Sequence, residues 1–321
     1  MADQSEASSS KLPTSSRLTD AAGLDGFSDD DDQGVGFGLD DLLPEPESPL
    51  PAPYSFATFD VPAGVDLDLG EGRTHILTRL VGAHPLWGHY LWNTAKVLST
   101  YLLRHTGLIQ GNSVLELGAG AGLPSIIAAL AGAQRVVVTD YPDASLVENL
   151  RYNVDMNVPE DRRGRIREAG HLWGHDVEAL LKELDGVPSA NSDGKYDLLL
   201  LSDLVFNHSQ HPALISTVNS LLSHSPAAPP TTNTPASTPC ILVFFTHHRP
   251  HLVAADMAFF PRLAESGTGW AYEKVVEEWA GVMFEEDPGD ERVRGTVHGW
   301  RAWRVREGEE AGERKGTSSA A

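Results

Sequence analysis

The sequence has a single cysteine, Cys240. One cysteine cannot form an internal disulfide bond, and this scarcity is typical of proteins in a reducing compartment. Cys240 begins the apolar segment CILVFF. There we expect a buried thiol and not a nucleophile.

The sequence also lacks long apolar segments. No stretch reaches the roughly 18 apolar residues that are needed to cross a bilayer. The acidic, serine-rich N-terminus has no apolar signal-peptide core. These absences predict a cytoplasmic protein that has no membrane partner.

Basic residues are scarce. The chain has 24 lysines and arginines against 45 acidic residues, which gives a formal net charge of −21. A negative surface repels phosphate backbones and attracts cations, so it argues against a nucleic-acid partner and favours a basic protein or an amine. The alternative is an acidity that only aids solubility.

The composition divides the chain into one foldable domain and two tails. Residues 1–53 are rich in serine, aspartate and proline, and we predict a disordered tail because they bury too little apolar surface to offset chain entropy. Residues 54–305 form the predicted domain. Within it, residues 224–239 (HSPAAPPTTNTPASTP) are a predicted low-complexity loop insertion. Residues 306–321 are a predicted disordered, charged tail.

Apolar periodicity predicts strands that alternate with helices. A first helical stripe is formed by Trp87, Leu91, Ala95, Leu98 and Leu102. Strands are predicted at residues 113–117, 135–139, 165–169, 196–201 and 240–246, and helices near 123–130, 143–154, 177–184, 213–222 and 252–265. Two successive strands, 272–279 and 297–305, follow. This order predicts an α/β Rossmann-like fold, whose seven-stranded, mostly parallel sheet has one antiparallel edge strand and helices on both faces.

The first turn between a strand and a helix is rich in small residues. It reads Glu116, Leu117, Gly118, Ala119, Gly120, Ala121, Gly122. Small residues let the backbone at Gly118, Ala119 and Gly120 approach a ligand closely. NAD-binding turns use G-x-G-x-x-G to seat a pyrophosphate, whereas this spacing is G-x-G-x-G and an acid, Glu116, precedes it. A carboxylate there suits a cationic ligand without phosphate, so we favour S-adenosylmethionine over NAD. The remaining alternative is a turn that uses glycine for tight packing only.

Asp140 ends the second predicted strand, where a carboxylate can accept hydrogen bonds from two ribose hydroxyls. S-adenosylmethionine and NAD both have a ribose, so Asp140 indicates a nucleoside ligand without choosing between them. Its alternative role is an acid at the start of a helix.

A polar segment follows the fourth predicted strand, at the sheet edge where open α/β folds bind ligands. The segment contains Ser202, Asp203 and Asn207, and it suits one group near a cofactor and others facing an acceptor amine, for which Asp203 and Asn207 are the candidates. Plain helix capping by Ser202 or Asp203 is the alternative. Further acidic candidates for a cationic acceptor are Glu285, Glu286 and Asp287.

Two tryptophans, Trp87 and Trp173, are each followed by glycine. We interpret the glycine as room beside the indole for an adenine or methionine group, with core packing as the alternative. The histidines at positions 208, 211, 247 and 248 lack a third ligand at suitable spacing, so we predict no metal site.

Several longer segments resemble a known family. They are PLWGHYLWNTAK, VLELGAGAGLPSIIAAL, VVVTDYPDASLVENLRYNV, HLWGHD, YDLLLLSDLVFNHSQH, VMFEED and the HRP at residues 248–250. Together they are similar to the fungal N-terminal and lysine methyltransferases of translation elongation factor 1-alpha, formerly called nicotinamide N-methyltransferase-like proteins. The similarity covers residues 54–305 and omits the insertion at 224–239.

The resemblance implies a class I methyltransferase fold and an S-adenosylmethionine site. It implies that this site is lined by Trp87, residues 118–120, Asp140, Trp173 and Ser202. It also implies the acceptor, which is the α-amino group of the elongation factor's N-terminal glycine and then the lysine that follows. We expect the enzyme to be a monomer.

Three alternatives stay open at this point. They are a small-molecule amine methyltransferase acting on compounds such as nicotinamide, a nicotinamide-dependent oxidoreductase, and a methyltransferase fold kept as a non-catalytic binding module. The intact Glu116, Gly118, Gly120 and Asp140 argue against the last, because a module without catalysis has no need of them.

Overall fold

A computed structural model describes residues 54–70, 72–82, 89–188, 193–225, 237–267, 269–305 and 311–314. The predicted disordered tail at residues 1–53 lies outside these ranges, as does most of the predicted insertion. No helix within the described ranges is both long enough and apolar enough to span a bilayer.

The strands are β1 (Tyr54–Asp60), β2 (His75–Val81), β3 (Ser113–Leu117), β4 (Arg135–Asp140), β5 (Ile166–Gly170), β6 (Leu198–Ser202), β7 (Cys240–Thr246), β8 (Trp270–Trp279), β9 (Thr296–Arg304) and β10 (Gly312–Glu313). The helices are α1 (Asn93–Arg104), α2 (Leu123–Leu130), α3 (Ala144–Asn157), α4 (Glu160–Arg163), α5 (Glu178–Lys182), α6 (His211–Leu221), α7 (Val253–Met257), α8 (Phe259–Ala264) and α9 (Glu291–Gly295).

The main sheet has the strand order β10-β8-β9-β7-β6-β3-β4-β5. The five strands from β7 to β5 run parallel, and every residue of β3 and β7 is buried. Helices α1, α2 and α3 pack on one face of this sheet, while α5, α6 and α8 pack on the other. Continuous apolar strands covered on both faces are typical of doubly wound α/β proteins, which confirms the predicted Rossmann-like architecture.

Two details of the predicted sheet are wrong. Within the described ranges the sheet has eight strands and not seven, because Gly312–Glu313, within the predicted disordered tail at residues 306–321, pair in parallel with β8. The antiparallel strand, β9, lies between β7 and β8 and not at the edge. Alternation along the chain reveals that β8 and β9 are strands, but the order in which they pair depends on contacts across the sheet.

The first predicted helix begins later than its apolar stripe. The stripe is confirmed from Leu91 onward, since Leu91, Ala95, Leu98 and Leu102 are all buried, but α1 begins at Asn93. Trp87 lies outside the described residues.

The helix predicted near residues 252–265 is two helices, α7 and α8. Pro261 has no amide hydrogen and its ring clashes with the carbonyl four residues earlier, at Met257. This position is where α7 ends.

The structure also contains a hairpin that the apolar pattern did not predict. Strands β1 and β2 pair antiparallel from Tyr54 opposite Val81 to Asp60 opposite His75 and form a separate two-stranded sheet. This sheet packs against α3 through the side chains described below.

Candidate active site

The glycine turn lies between β3 and α2, at the carboxyl edge of the sheet. Gly118, Gly120 and Gly122 have φ angles of 60°, 56° and 75°, a conformation that glycine adopts without steric cost. A Cβ on Gly118 would lie 2.6 Å from Leu204 Cδ2, whereas a Cβ on Gly120 would meet no atom within 4 Å. The turn therefore packs against the loop after β6 at Gly118 and borders open space at Gly120.

The end of β4 holds this turn in place. The amide of Ala119 donates to the Thr139 carbonyl at 2.9 Å, and the amide of Gly120 donates to Asp140 Oδ2 at 2.6 Å. The other oxygen of Asp140, Oδ1, accepts from the amide of Tyr141 at 2.7 Å. The structure thus brings Asp140 to the turn. A contact between Asp140 and a ribose stays a prediction.

Glu116 is completely buried beneath the turn. Its Oε2 accepts from the amide and the hydroxyl of Ser125, in the first turn of α2, and its Oε1 has no partner among the described residues. Burial raises the pKa of Glu116 to about 8, although the two bonds from Ser125 oppose the rise. The structure therefore gives Glu116 a partner within the fold at the N-terminal end of α2.

This burial leads to a prediction about pH and stability. The folded protein favours neutral Glu116. The contribution of this group to folding stability is therefore complete below the ordinary pKa of the carboxyl and is lost as pH rises towards 8. The variant Glu116→Gln mimics the neutral carboxyl and has no such penalty. We expect the melting temperature of the wild type to fall by several degrees relative to Glu116→Gln between pH 5 and pH 8.5, measured by calorimetry. A difference that does not change with pH would contradict the neutral state.

Trp173 follows β5 and lies beside the turn, since its Cζ2 would be 3.2 Å from a Cβ on Gly118. The glycine after it has a different purpose from the one predicted. Gly174 has a φ of 80°, and a Cβ there would lie 3.1 Å from Ala213 Cβ on α6. The requirement for glycine at 174 is close packing on α6 and not room for an adenine.

Ser202 and Asp203 lie where β6 ends. Ser202 is half-buried and opposite Phe244 of β7. Asp203 has a φ of 58° and is, among the described residues, the sole non-glycine residue with a positive φ. Such strain is concentrated at functional sites. Since Leu204 touches the glycine turn, Asp203 lies one residue from that contact.

The Asp203 carboxylate is bound by the loop after β7. His248 Nε2 lies 2.8 Å from Asp203 Oδ2, and the amide of Thr246 donates to Oδ1 at 3.3 Å. Burial by itself lowers the pKa of His248, but the charge and the hydrogen bond of Asp203 outweigh burial and raise this pKa above its ordinary value. Asp203 and His248 therefore form a hydrogen-bonded pair at the carboxyl edge of the sheet.

A group of aromatic rings extends from the His248 side of this pair. The ring of Trp92 meets the ring of His248 edge-on, with centroids 5.0 Å apart. Phe284 lies 6.1 Å from Trp92 and 5.1 Å from Tyr90, again between centroids. Asn93 fixes this arrangement by donating to the carbonyls of Ala280 and Gly281. We call Tyr90, Trp92, His248 and Phe284 the aromatic cluster.

The other residues predicted to bind the acceptor are Asn207, Glu285, Glu286 and Asp287. Asn207 Oδ1 accepts from the Ser209 hydroxyl at 3.0 Å, so this amide is turned towards its own loop. Glu285, Glu286 and Asp287 are exposed. The charge of Asp287 contributes to the raised pKa of His248, which places this acidic segment within electrostatic range of the aromatic cluster.

A buried carboxylate, Asp256 on α7, joins the two loops that carry Asp203 and His248. His208 Nε2 lies 2.7 Å from Asp256 Oδ1, and His247 Nδ1 lies 2.6 Å from Asp256 Oδ2. Among the described residues no three histidine, cysteine or acidic side chains form a group that could hold a metal ion. Three of the histidines considered as metal ligands, His208, His247 and His248, connect the two loops, whereas His211 Nε2 lies 2.7 Å from the Val205 carbonyl.

The aromatic cluster as a unit is not predicted by the sequence. Tyr90, Trp92, His248 and Phe284 fall within segments that carry the family resemblance, but these segments are far apart in the chain. The sequence shows that these side chains are aromatic, but it does not show that they lie close together. Their proximity depends on how α1, β7 and the β8–β9 connection meet.

Comparison with known proteins identifies the family. A protein from Cryptococcus neoformans named "Protein N-terminal and lysine N-methyltransferase EFM7" is 62% identical to this chain over 281 residues, 87% of this chain and 92% of its own length. This chain belongs to the protein N-terminal and lysine N-methyltransferases. A Schizosaccharomyces pombe protein of the same name is 40% identical over 86% of this chain and 97% of its own length. A family model described as lysine methyltransferase matches residues 83–231.

Among solved structures, a precorrin-6Y C5,15-methyltransferase from Geobacter metallireducens aligns over 70% of this chain and 95% of its own, with 14% identity and a TM-score of 0.39. Membership of the family confirms the predicted enzyme class and the class I methyltransferase fold. The carboxyl edge with the glycine turn, Asp203 and the aromatic cluster is its candidate active site.

Proposed function

We propose that this enzyme transfers a methyl group from S-adenosylmethionine to the α-amino group of an N-terminal glycine, and then to the lysine that follows, in translation elongation factor 1-alpha. It acts as a monomer in the cytoplasm. The names of the relatives support the two kinds of acceptor, and the resemblance of residues 54–305 supports the target. The observation that carries the proposal is that the buried carboxylate of Asp203 pairs with His248 of the aromatic cluster and lies one residue from Leu204, which packs against the glycine turn.

The residues of the turn fit the cofactor. Open space at Gly120 admits close approach of a ligand to the backbone. The Asp140 carboxylate lies at this glycine, where it could accept hydrogen bonds from ribose hydroxyls. Gly118, Ala119, Trp173 and Ser202 lie at the same edge, and Trp87 joins them by resemblance. S-adenosylmethionine, when bound, supplies an electrophilic methyl group on a sulfonium.

The aromatic cluster and Asp203 fit the acceptor. Aromatic faces attract an ammonium group, and a buried carboxylate adds a charge that pairs with it. The enzyme then has to orient the nitrogen lone pair towards the methyl group, which is the larger part of catalysis for a displacement of this kind.

The amine must lose its proton before it can react. An α-amino group has a reference pKa of about 7.7–8.0 and a lysine about 10.4, so the N-terminal amine is the easier acceptor. Lysine depends on desolvation or on a base. Asp203 and His248 are the titratable groups that meet beside the aromatic cluster, so they are the candidates to receive this proton.

The test compares peptides with the N-terminal sequence of the elongation factor, incubated with the full-length enzyme and labelled S-adenosylmethionine and read by mass spectrometry. We expect methylation of a free glycine terminus. We expect none at that position after acetylation, which delocalises the lone pair into an amide. Replacing the following lysine by glutamate should weaken binding in a salt-dependent way, because the folded domain is acidic.

Two outcomes would redirect the assignment. Methylation that is equal on free and acetylated peptides and confined to an internal lysine would leave a lysine methyltransferase only. Methylation of nicotinamide in place of the peptide would establish the small-molecule alternative.

The variant Asp140→Ala should weaken binding of S-adenosylmethionine by about 1.5–3 kcal/mol, the range for hydrogen bonds to a charged group. Isothermal titration calorimetry measures this loss. The matched control is Asp143→Ala, because Asp143 caps α3 through Ser145 and its loss should lower stability by about 1 kcal/mol with affinity unchanged. Equal affinities for Asp140→Ala and the wild type would remove Asp140 from the cofactor site.

A further inference from the structure

Three asparagines follow one another at every fourth position of α3. Asn149, Asn153 and Asn157 are at most 4% exposed, although a polar row on a helix ordinarily faces solvent. Residues four apart lie on the same side of a helix. A buried amide side chain has to find partners for its donors and its acceptor, so this face must meet polar groups of another element.

The partner is the edge of β2 that faces away from β1. Asn157 Oδ1 accepts from the Leu77 amide at 3.3 Å and its Nδ2 donates to the Leu77 carbonyl at 2.9 Å. Asn153 repeats this pattern two residues further along, with Arg79 at 2.7 and 2.8 Å. The two amides bind the strand as a neighbouring strand would, and they fasten the hairpin to α3.

The side chain of Arg79 strengthens the same junction. Its Nε donates to Asn149 Oδ1 at 2.8 Å. Its guanidinium lies 4.2 Å from the ring centroid of Tyr54 and 3.8 Å from that of Tyr152, distances that suit cation–π attraction. The hairpin is therefore docked by backbone and side-chain contacts together.

Asn153 differs from Asn157 in one respect. Its Nδ2 has a second acceptor, the carbonyl of Ala121 in the glycine turn, at 3.0 Å. The second acceptor of Asn157 Nδ2 is the Asn153 carbonyl within α3 itself, at 2.8 Å. Asn153 thus bonds the hairpin and the glycine turn with one side chain, and it is completely buried.

We propose that Asn153 is a positioning residue for the cofactor site, which holds the turn at Ala121 and couples it to the docked hairpin. The turn has three supports: Thr139 at Ala119, Asp140 at Gly120 and Asn153 at Ala121. The first two come from β4. Asn153 supplies the third from α3, and it is the bond that depends on residues 75–81. This inference rests on the proposed use of S-adenosylmethionine at the turn.

The matched variants are Asn153→Ala and Asn157→Ala. Both lose their two bonds to β2, so both should lower the melting temperature by similar amounts. Only Asn153→Ala loses the bond to Ala121. We expect its dissociation constant for S-adenosylhomocysteine, measured by calorimetry, to rise about tenfold, which corresponds to one hydrogen bond, with a rise within about twofold for Asn157→Ala. In steady state, the KM for S-adenosylmethionine should rise for Asn153→Ala with kcat little changed.

Equal losses of affinity in the two variants would overturn the proposal, because hairpin docking alone would then explain them. A wild-type protein that does not bind S-adenosylhomocysteine or S-adenosylmethionine would instead overturn the proposed function. Hydrogen exchange of the wild type covers the case in which Asn153→Ala does not fold. Binding of S-adenosylhomocysteine should slow exchange both at residues 118–123 and at residues 76–80, and slowing confined to the turn would contradict the coupling.

Discussion

Replacing Asp203 by asparagine is expected to lower kcat/KM for the N-terminal peptide by about 100-fold, the lower range for loss of a group that assists proton transfer. Asparagine keeps the shape of the side chain and tolerates the left-handed backbone at φ 58°. The variant therefore removes the charge and leaves the loop in place. With the carboxylate gone, the pKa of His248 should fall, since burial lowers it and Asp203 is the main cause of its rise.

Initial rates with peptide, followed from pH 6 to pH 9, measure the effect. The affinity for S-adenosylhomocysteine should stay within about twofold of the wild type. This result would show that the substitution affects the reaction of the acceptor and not the binding of the cofactor. Asn207→Ala is the comparison, because its amide is turned towards Ser209 and its loss should cost less than about fivefold. If Asp203→Asn retained the wild-type rate and pH profile, the charge of Asp203 would have no part in the reaction.

The pair Gly118→Ala and Gly120→Ala should separate stability from cofactor affinity. Both positions have nearly the same φ, so each added methyl group brings about 1 kcal/mol of backbone strain. At Gly118 the methyl group also collides with Leu204 and lies tightly against Trp173. Such overpacking adds about 1–3 kcal/mol. At Gly120 it enters open space, where we propose that the cofactor lies.

We therefore expect Gly118→Ala to lower the melting temperature far more than Gly120→Ala, and Gly120→Ala to bind S-adenosylhomocysteine at least tenfold more weakly than the wild type. Thermal unfolding and calorimetric titration on the same samples give the two values. Tight binding by Gly120→Ala would show that the open space at this glycine is not part of the cofactor site.

The asparagine face of α3 shows why prediction from the sequence was incomplete. Leu146, Leu150 and Val154 are the periodic apolar positions of the helix predicted near residues 143–154, and all three are buried. The spacing of four between Asn149, Asn153 and Asn157 was also visible, but a polar row on a helix ordinarily faces solvent. It became a contact surface only because β2 presents an unpaired edge to it, and β2 is distant in the sequence.

The pair of Asp203 and His248 is a second case in which the sequence predicted a residue but not its partner. Asp203 was a candidate because it follows a buried strand, a property of the local sequence. His248 was considered only as a metal ligand. That its ring pairs with Asp203 follows from the parallel pairing of β6 with β7, which sets the two following loops side by side.

Local patterns in the sequence were enough to predict the alternation of strands and helices, the glycine turn and the acid that ends β4. These depend on residues close together in the chain, whose periodicity and backbone freedom are properties of local segments. Long-range packing produces the insertion of β9 between β7 and β8, the burial of Glu116 under α2, the aromatic cluster at His248 and the bond from Asn153 to the turn. Each of these joins segments far apart in the sequence, and which of them meet is selected by the packing of the whole sheet and its helices.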